Sequence, residues 1–291
     1  MAVDMAALAA DVSAESVVTR DLISGLDEAG WHTPTPAAGW DITDQVSHLA
    51  YFDEVTVASA VGQEEFIAER TAAEAAGGID PDTIAARFHE LSGAEMLAWF
   101  DTARQELLST FVTIDPAARL PWFGPAMSAA SSLTARLMET WAHTQDIADA
   151  LGVTRTPTGR LRHVAHIGVG ARAYSYAVRG LPRPDVPVRV ELAPPASTEL
   201  LSTSTAPSDA VWTWGPADAK DRITGPALDF CLLVTQRRHR DDVTLAIDGP
   251  AATEWMTIAQ AFAGAAGPGR DAGLFPRTSS AAAGGGTDGT A

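Results

Sequence analysis

The most constraining feature of this chain is a series of long apolar stretches at helical spacing, separated by glycine and proline. Leu8, Val12, Val18, Leu22 and Leu26 stand at helical spacing over residues 4–29. That period puts them on one face of a helix, and Gly30 ends it. After the breaker TPTPAAGW, a second helix is expected from Asp41, with Ile42, Val46, Leu49, Ala50 and Val57 on one side. AAGGIDP breaks the chain again; Asp80 then caps a third helix, with Pro81 at its first position. That helix should run toward Val112 and bury Ile84, Phe88, Leu91, Met96, Phe100, Leu107 and Phe111. Past LPWFGP, a fourth helix is expected over about 127–151, carrying Leu133, Leu137, Trp141, Ile147 and Leu151, with Gly152 as its stop. Four such elements, each unable to bury its stripe alone, read as a four-helix bundle.

The second half changes character. A fifth helix is expected at about 159–179, then short alternating strands in PVRVELAPP, VWTWG and VTLAIDG. TGPALDFCLLVTQRR reads as a helix opened by Thr224, and PAATEWMTIAQAFAG as a closing helix. The expected fold class is therefore α+β, with a small α+β domain after the bundle. The expected boundaries are 1–180 for the bundle and its connecting helix, 181–277 for the α+β domain and 278–291 for a disordered Gly/Ala/Ser tail. A length of 291 residues agrees with two domains.

Charge narrows the function. Thirty-seven acidic against 20 basic residues give a net charge of −17, which opposes nucleic-acid and anionic-membrane partners. One cysteine, Cys231, excludes an intramolecular disulfide and a cysteine-type zinc cluster. Within LDFCLLV it reads as a buried apolar residue rather than a nucleophile. The N-terminal residues lack the basic region of a secretory leader, and no apolar run reaches membrane-spanning length, so a soluble cytoplasmic protein is expected.

Two strings carry chemistry. The fourth helix contains E-T-W-A-H, which puts Glu139 and His143 four apart on one helix face. The second contains W-D-I-T-D-Q-V-S-H-L-A, with His48. A carboxylate and two imidazoles from two bundle helices can share one ion and leave positions open for water or substrate, as catalytic sites do. Zn²⁺ suits such a set, and Fe²⁺, Ni²⁺ or Co²⁺ also fit. The competing reading of Glu139 and His143 is a surface ion pair. His163 and His166 form a weaker candidate pair, while His32, His89 and His239 read as surface residues. Asp44, Asp53 and Asp146 lie close in sequence to the histidines, either as carboxylates that orient a ligand imidazole or as helix-surface charges. Arg237, Arg238 and Arg240 follow an apolar helix. They offer bidentate contacts to an anionic substrate or cofactor, or simply cap a helix end. Trp122 is read as core, at the edge of a pocket.

The string G-W-x-(V/I)-x-D-x-(V/L)-x-H-L, followed by E-x-x-x-H-x-x-D-(I/V), resembles the DinB-like superfamily, and most of all its mycothiol-dependent maleylpyruvate isomerase branch from actinobacteria. The resemblance covers the bundle, residues 1–152, and extends more loosely to the C-terminal half through W-T-W-G-P, I-T-G-P-A-L-D-F and the Arg-Arg pair. It implies His48, Glu139 and His143 as metal ligands. It also implies mycothiol as a thiol cofactor and a metal-dependent isomerase or thiol transferase acting on a small molecule. Under it, Arg238, with Arg237 as second choice, faces the metal mouth; apart from it, Asp53 beside the site is the candidate acid or base of a thiol-free reaction. A thiol-independent lyase, isomerase or cyclase would use the same ligands, and a non-catalytic metal- or ligand-binding module is the remaining alternative.

Overall fold

The structure, a computed structural model, describes residues 3–62, 64–75, 77–196 and 210–276. The expected tail, 278–291, lies outside the described residues. The chain divides into two compact units, Met1–Ile167 with Ala196–Ser208, and Gly168–Pro195 with Asp209–Ala291. The division falls inside a helix, thirteen residues before the expected boundary at 180.

The first unit contains α1 (Met5–Ile23), α2 (Glu28–Trp31), α3 (Ile42–Val61), α4 (Glu64–Ala75), α5 (Pro81–Ala85) and α6 (Gly93–Phe111). After these come the short strands β1 (Arg119–Leu120) and β2 (Met127–Ser128), then α7 (Ala129–Ala150). Helices α1, α3, α6 and α7 form the bundle: α1 packs on α6 and α7, and α3 packs on the same two. The buried set includes Leu8, Val12, Ile42, Val46, Leu49, Met96, Phe100, Leu107, Leu133, Leu137 and Ile147, largely the apolar stripes of the sequence. Each long helix opens on a side-chain cap. Asp4 accepts from the Ala7 amide, and Ser128 from that of Ser131. Helices α3 and α6 start on reciprocal capping boxes, Asp41 with Asp44 and Ser92 with Glu95. Gly62, at φ 70°, ends α3 in the left-handed conformation that a side chain disfavours.

Three expected elements are divided, the first of them at Ser24, where α1 stops before α2 begins anew behind Asp27. The third helix is not continuous from Asp80: α5 passes into a 3₁₀ turn at Ala86–Phe88, and α6 begins afresh behind Ser92. The break lets Gly93 lie against the Trp31 ring, where an added Cβ would stand 2.2 Å from the indole nitrogen. LPWFGP is the loop of the β1–β2 hairpin, paired Arg119 to Ser128 and Leu120 to Met127.

Helix α8 (Leu161–Gly170) spans the division, and α9 (Arg172–Ala177) follows it, so the expected fifth helix is also two pieces. The second unit adds β3 (Val188–Ala193), β4 (Trp212–Trp214), β5 (Asp221–Pro226), α10 (Ala227–Val234), β6 (Ala246–Asp248) and α11 (Pro250–Ile258). Strand order is β4-β3-β5-β6; β3 and β5 are parallel and the other pairs antiparallel. Strand β5 corrects the sequence reading, which placed Thr224 at the head of a helix. Asp221 and Ile223 point inward from a central strand, and the helix starts only at Ala227. The reason is pairing: Asp221–Pro226 takes its backbone partners from β3 across a long connection, which no local pattern reports. Gly168, with no Cβ, lets α8 close onto Phe230 and Val234 of α10.

Candidate metal centre

His48 lies on α3, one turn beyond Gln45 and one turn before Phe52, so all three share a face. Glu139 and His143 share a face of α7, which packs on α3. The three side chains meet. The His143 Nε2 is 3.1 Å from Glu139 Oε2, the His48 Nε2 is 3.4 Å from the same oxygen, and the ring centroids are 4.3 Å apart. One ligand atom from each falls within 4.8 Å of the others. The side chains keep only 10–19% of their exposure, so the centre is largely dry.

Electrostatics suit a cation. Burial, with His143 close by, lowers the His48 imidazole to about 4, which keeps it neutral at physiological pH. Burial would raise the Glu139 carboxyl, but hydrogen bonds from His143 and His48 outweigh it and hold the group well below the usual carboxylate range. A neutral imidazole and an ionised carboxylate are the protonation states that a metal requires. The donor set, one oxygen and two imidazole nitrogens aimed at one point, fits a divalent ion of the borderline class.

Around the centre stand aromatic rings and one amide. Trp40 lies against both rings, 5.6 Å from His48 and stacked at 6.0 Å on His143, and its indole nitrogen donates to Asp82 at 2.7 Å. Phe52 lies against His48 at 4.7 Å, and Trp122 packs on Phe52 at 6.4 Å. His143 Nδ1 lies 2.5 Å from Gln45 Oε1.

The family profile described as the mycothiol maleylpyruvate isomerase N-terminal domain matches residues 12–148, a stretch that holds all three converging side chains. Two proteins of Mycobacterium tuberculosis, the uncharacterized MT0041 of strain CDC 1551 / Oshkosh and the uncharacterized Rv0036c of strain ATCC 25618 / H37Rv, are each 43% identical over 261 residues, 90% of this chain and 97% of theirs. The chain belongs to the mycothiol-dependent maleylpyruvate isomerase branch of the DinB-like superfamily. The crystal structure of the mycothiol-dependent maleylpyruvate isomerase shares its fold, with a TM-score of 0.52 at 13% identity over 84% of this chain and 94% of that one. A histidine-to-alanine mutant of the same enzyme gives 0.50 at 13% identity over 79% and 88%. A further profile, described as wyosine base formation, matches residues 201–246.

Other polar residues singled out in the sequence have partners of their own. Asp53 is fully buried, with one oxygen on Arg136 Nε at 2.9 Å and the other on Arg104 Nε at 2.7 Å. Its carboxylate therefore anchors Arg136, which also donates to the Leu49 carbonyl at 3.2 Å, rather than standing ready to move a proton. Asp44 completes the α3 cap and bonds His89 at 2.8 Å. His163 pairs with Asp11 at 3.0 Å. Arg237 and Arg238 belong to the second unit. Arg237 is buried, donates to the Thr235 carbonyl and stands 5.9 Å from the Phe262 ring; Arg238 donates to the Arg237 carbonyl and lies over Phe275 at 3.7 Å. Cys231 is fully buried in α10, and burial pushes its thiol well above the ordinary value. Gln45 and Arg136 carried no role in the sequence reading, and Trp40 entered it only as the tryptophan of the G-W string. The signal for Gln45 was its place three residues before His48 on the same helix face.

Proposed function

We propose that this protein is a divalent-metal-dependent enzyme of thiol chemistry, an isomerase or S-transferase for a small electrophile. His48, Glu139 and His143 hold one ion, with Zn²⁺ the first choice and another divalent transition metal the second, and mycothiol supplies the sulfur. The observation that carries this reading is the meeting of two imidazoles and a carboxylate from α3 and α7 at one dry point. When bound, such an ion lowers the pKa of a neighbouring thiol and so supplies thiolate at neutral pH. The protein does the rest by position. Glu139 offsets the ion's charge, burial keeps His48 neutral, and the Trp40 and Phe52 rings keep water away from the imidazoles. Cys231 is no substitute nucleophile, because it is buried and protonated, so the thiol comes from outside the chain. The net charge of −17 keeps polyanions away and favours a small molecule as substrate.

The test is turnover of maleylpyruvate by the zinc-loaded protein with and without mycothiol, beside His48→Ala. Thiol-dependent turnover and one ion per chain are expected, both lost in His48→Ala. A wild-type protein that retains no divalent ion overturns the metal centre. Turnover that ignores the thiol transfers the same ligands to a thiol-independent lyase, isomerase or cyclase.

A further inference from the structure

The two imidazoles of the centre are held differently. His48 Nδ1 is buried and meets no hydrogen-bond partner among the described residues; ring contacts to Trp40 and Phe52 hold that side chain. His143 is held by a hydrogen-bond relay. Thr35 Oγ1 donates its only proton to the Trp40 carbonyl at 2.9 Å, so toward any other group it is an acceptor. Gln45 Nε2 donates to that oxygen at 2.9 Å, which fixes which end of the amide faces which way. The remaining end, Oε1, faces His143 Nδ1 at 2.5 Å and can only accept. Gln45 is fully buried, so no bulk water competes for these bonds. The relay therefore runs from a loop carbonyl, through a hydroxyl and an amide, to one ring nitrogen. Polarity propagates along it in one direction.

We infer that Gln45 is a positioning residue of the metal centre: its amide oxygen holds a proton on His143 Nδ1, so that Nε2, which donates to Glu139 in the ion-free chain, is the nitrogen left for an ion to take. This rests on the reading of His48, Glu139 and His143 as metal ligands. Without the Gln45 acceptor, a neutral His143 would place its proton on Nε2 and donate it to Glu139, 3.1 Å away, where an ion should stand. Position 45 is unspecified in the string G-W-x-(V/I)-x-D-x-(V/L)-x-H-L, so the inference comes from the geometry alone. The alternative is a buried amide that merely satisfies its neighbours and affects stability only.

Nitrogen-15 NMR of the histidine rings in the metal-free full chain separates the two, because it reports which nitrogen carries the proton. Wild type is expected to show His143 protonated at Nδ1. Gln45→Glu, which keeps an acceptor, should show the same. Gln45→Leu, which removes it, should leave Nδ1 without a proton, so that Nε2 alone carries one. In chelator competition with Zn²⁺, Gln45→Leu should bind about 10–100-fold more weakly than wild type, and Gln45→Glu should remain close to it. A wild-type His143 lacking the Nδ1 proton overturns the inference, as does an unchanged tautomer and affinity in a folded Gln45→Leu. If Gln45→Leu does not fold, the wild-type tautomer decides alone. If wild type binds no Zn²⁺ yet shows the Gln45-dependent tautomer, the metal reading fails while the effect of Gln45 on His143 stands.

Discussion

Asp53 shows how one residue can support a site without acting in it. Its carboxylate lies between the Arg104 and Arg136 guanidinium groups, all three side chains being buried, and Arg136 stands one turn before Glu139 on α7. Burial lowers the Arg104 pKa, and Asp53 works against that shift. Removing the anion leaves two buried cations uncompensated. Asp53→Ala should therefore cost about 3–5 kcal/mol, read as a fall in the denaturation midpoint, far beyond a surface change. A loss within the error of a surface substitution would show that water reaches the arginines. Cys231 allows a second test. With its thiol buried and its pKa raised, it should react with a disulfide reagent only as fast as the chain unfolds. Rapid labelling under native conditions would contradict the packing of α10.

At the scale of elements, caps decide more than apolar periodicity does. The stripe from Ile84 to Phe111 reads as one helix, because apolar side chains keep helical spacing across the break. Yet Ser92 and Glu95 were a legible capping box, and it restarts the helix there. Ser92→Ala should lower stability by about 1 kcal/mol through the lost cap. Gly93→Ala should cost more, about 1–3 kcal/mol, since the Trp31 ring already occupies the space of the new methyl and the core must shift. Thermal melts of both variants check the order; equal effects would mean that Trp31 moves aside freely. Strand β5 was illegible for a different reason. DRITGP carries one buried apolar residue, Ile223, and it is a strand because β3 and β6 flank it. Local composition points instead to the helix that follows.

At the scale of the molecule, the proposed ion should behave as part of the fold. It binds the bundle through two helices, α3 and α7, and has no preformed site in the unfolded chain. Free ion at a hundred times its Kd stabilises by about 2.7 kcal/mol, so adding a chelator should lower the melting midpoint by several degrees and re-adding Zn²⁺ should restore it. His48→Ala should melt at one temperature with or without the chelator. A wild-type midpoint indifferent to chelator and Zn²⁺ alike would argue against coordination by these residues. No described helix is long and apolar enough to cross a membrane.

By itself the sequence determined the bundle, the α+β character of the second half and the trio His48, Glu139 and His143. Each depends on a signal local to one segment: a helical period, a run of alternation, or a motif held on a single helix face. The rest needed tertiary structure. Asp53 and Glu139 are both carboxylates near the histidines in sequence or on a bundle helix. Only the packing of α3 against α6 and α7 shows that one turns to two arginines and the other to two imidazoles. Gln45 took a role toward His143, 98 positions away, through a relay that begins in the loop before α3. Such roles are set by which atoms become neighbours once water is excluded, and a buried donor must find its acceptor wherever the chain has brought one.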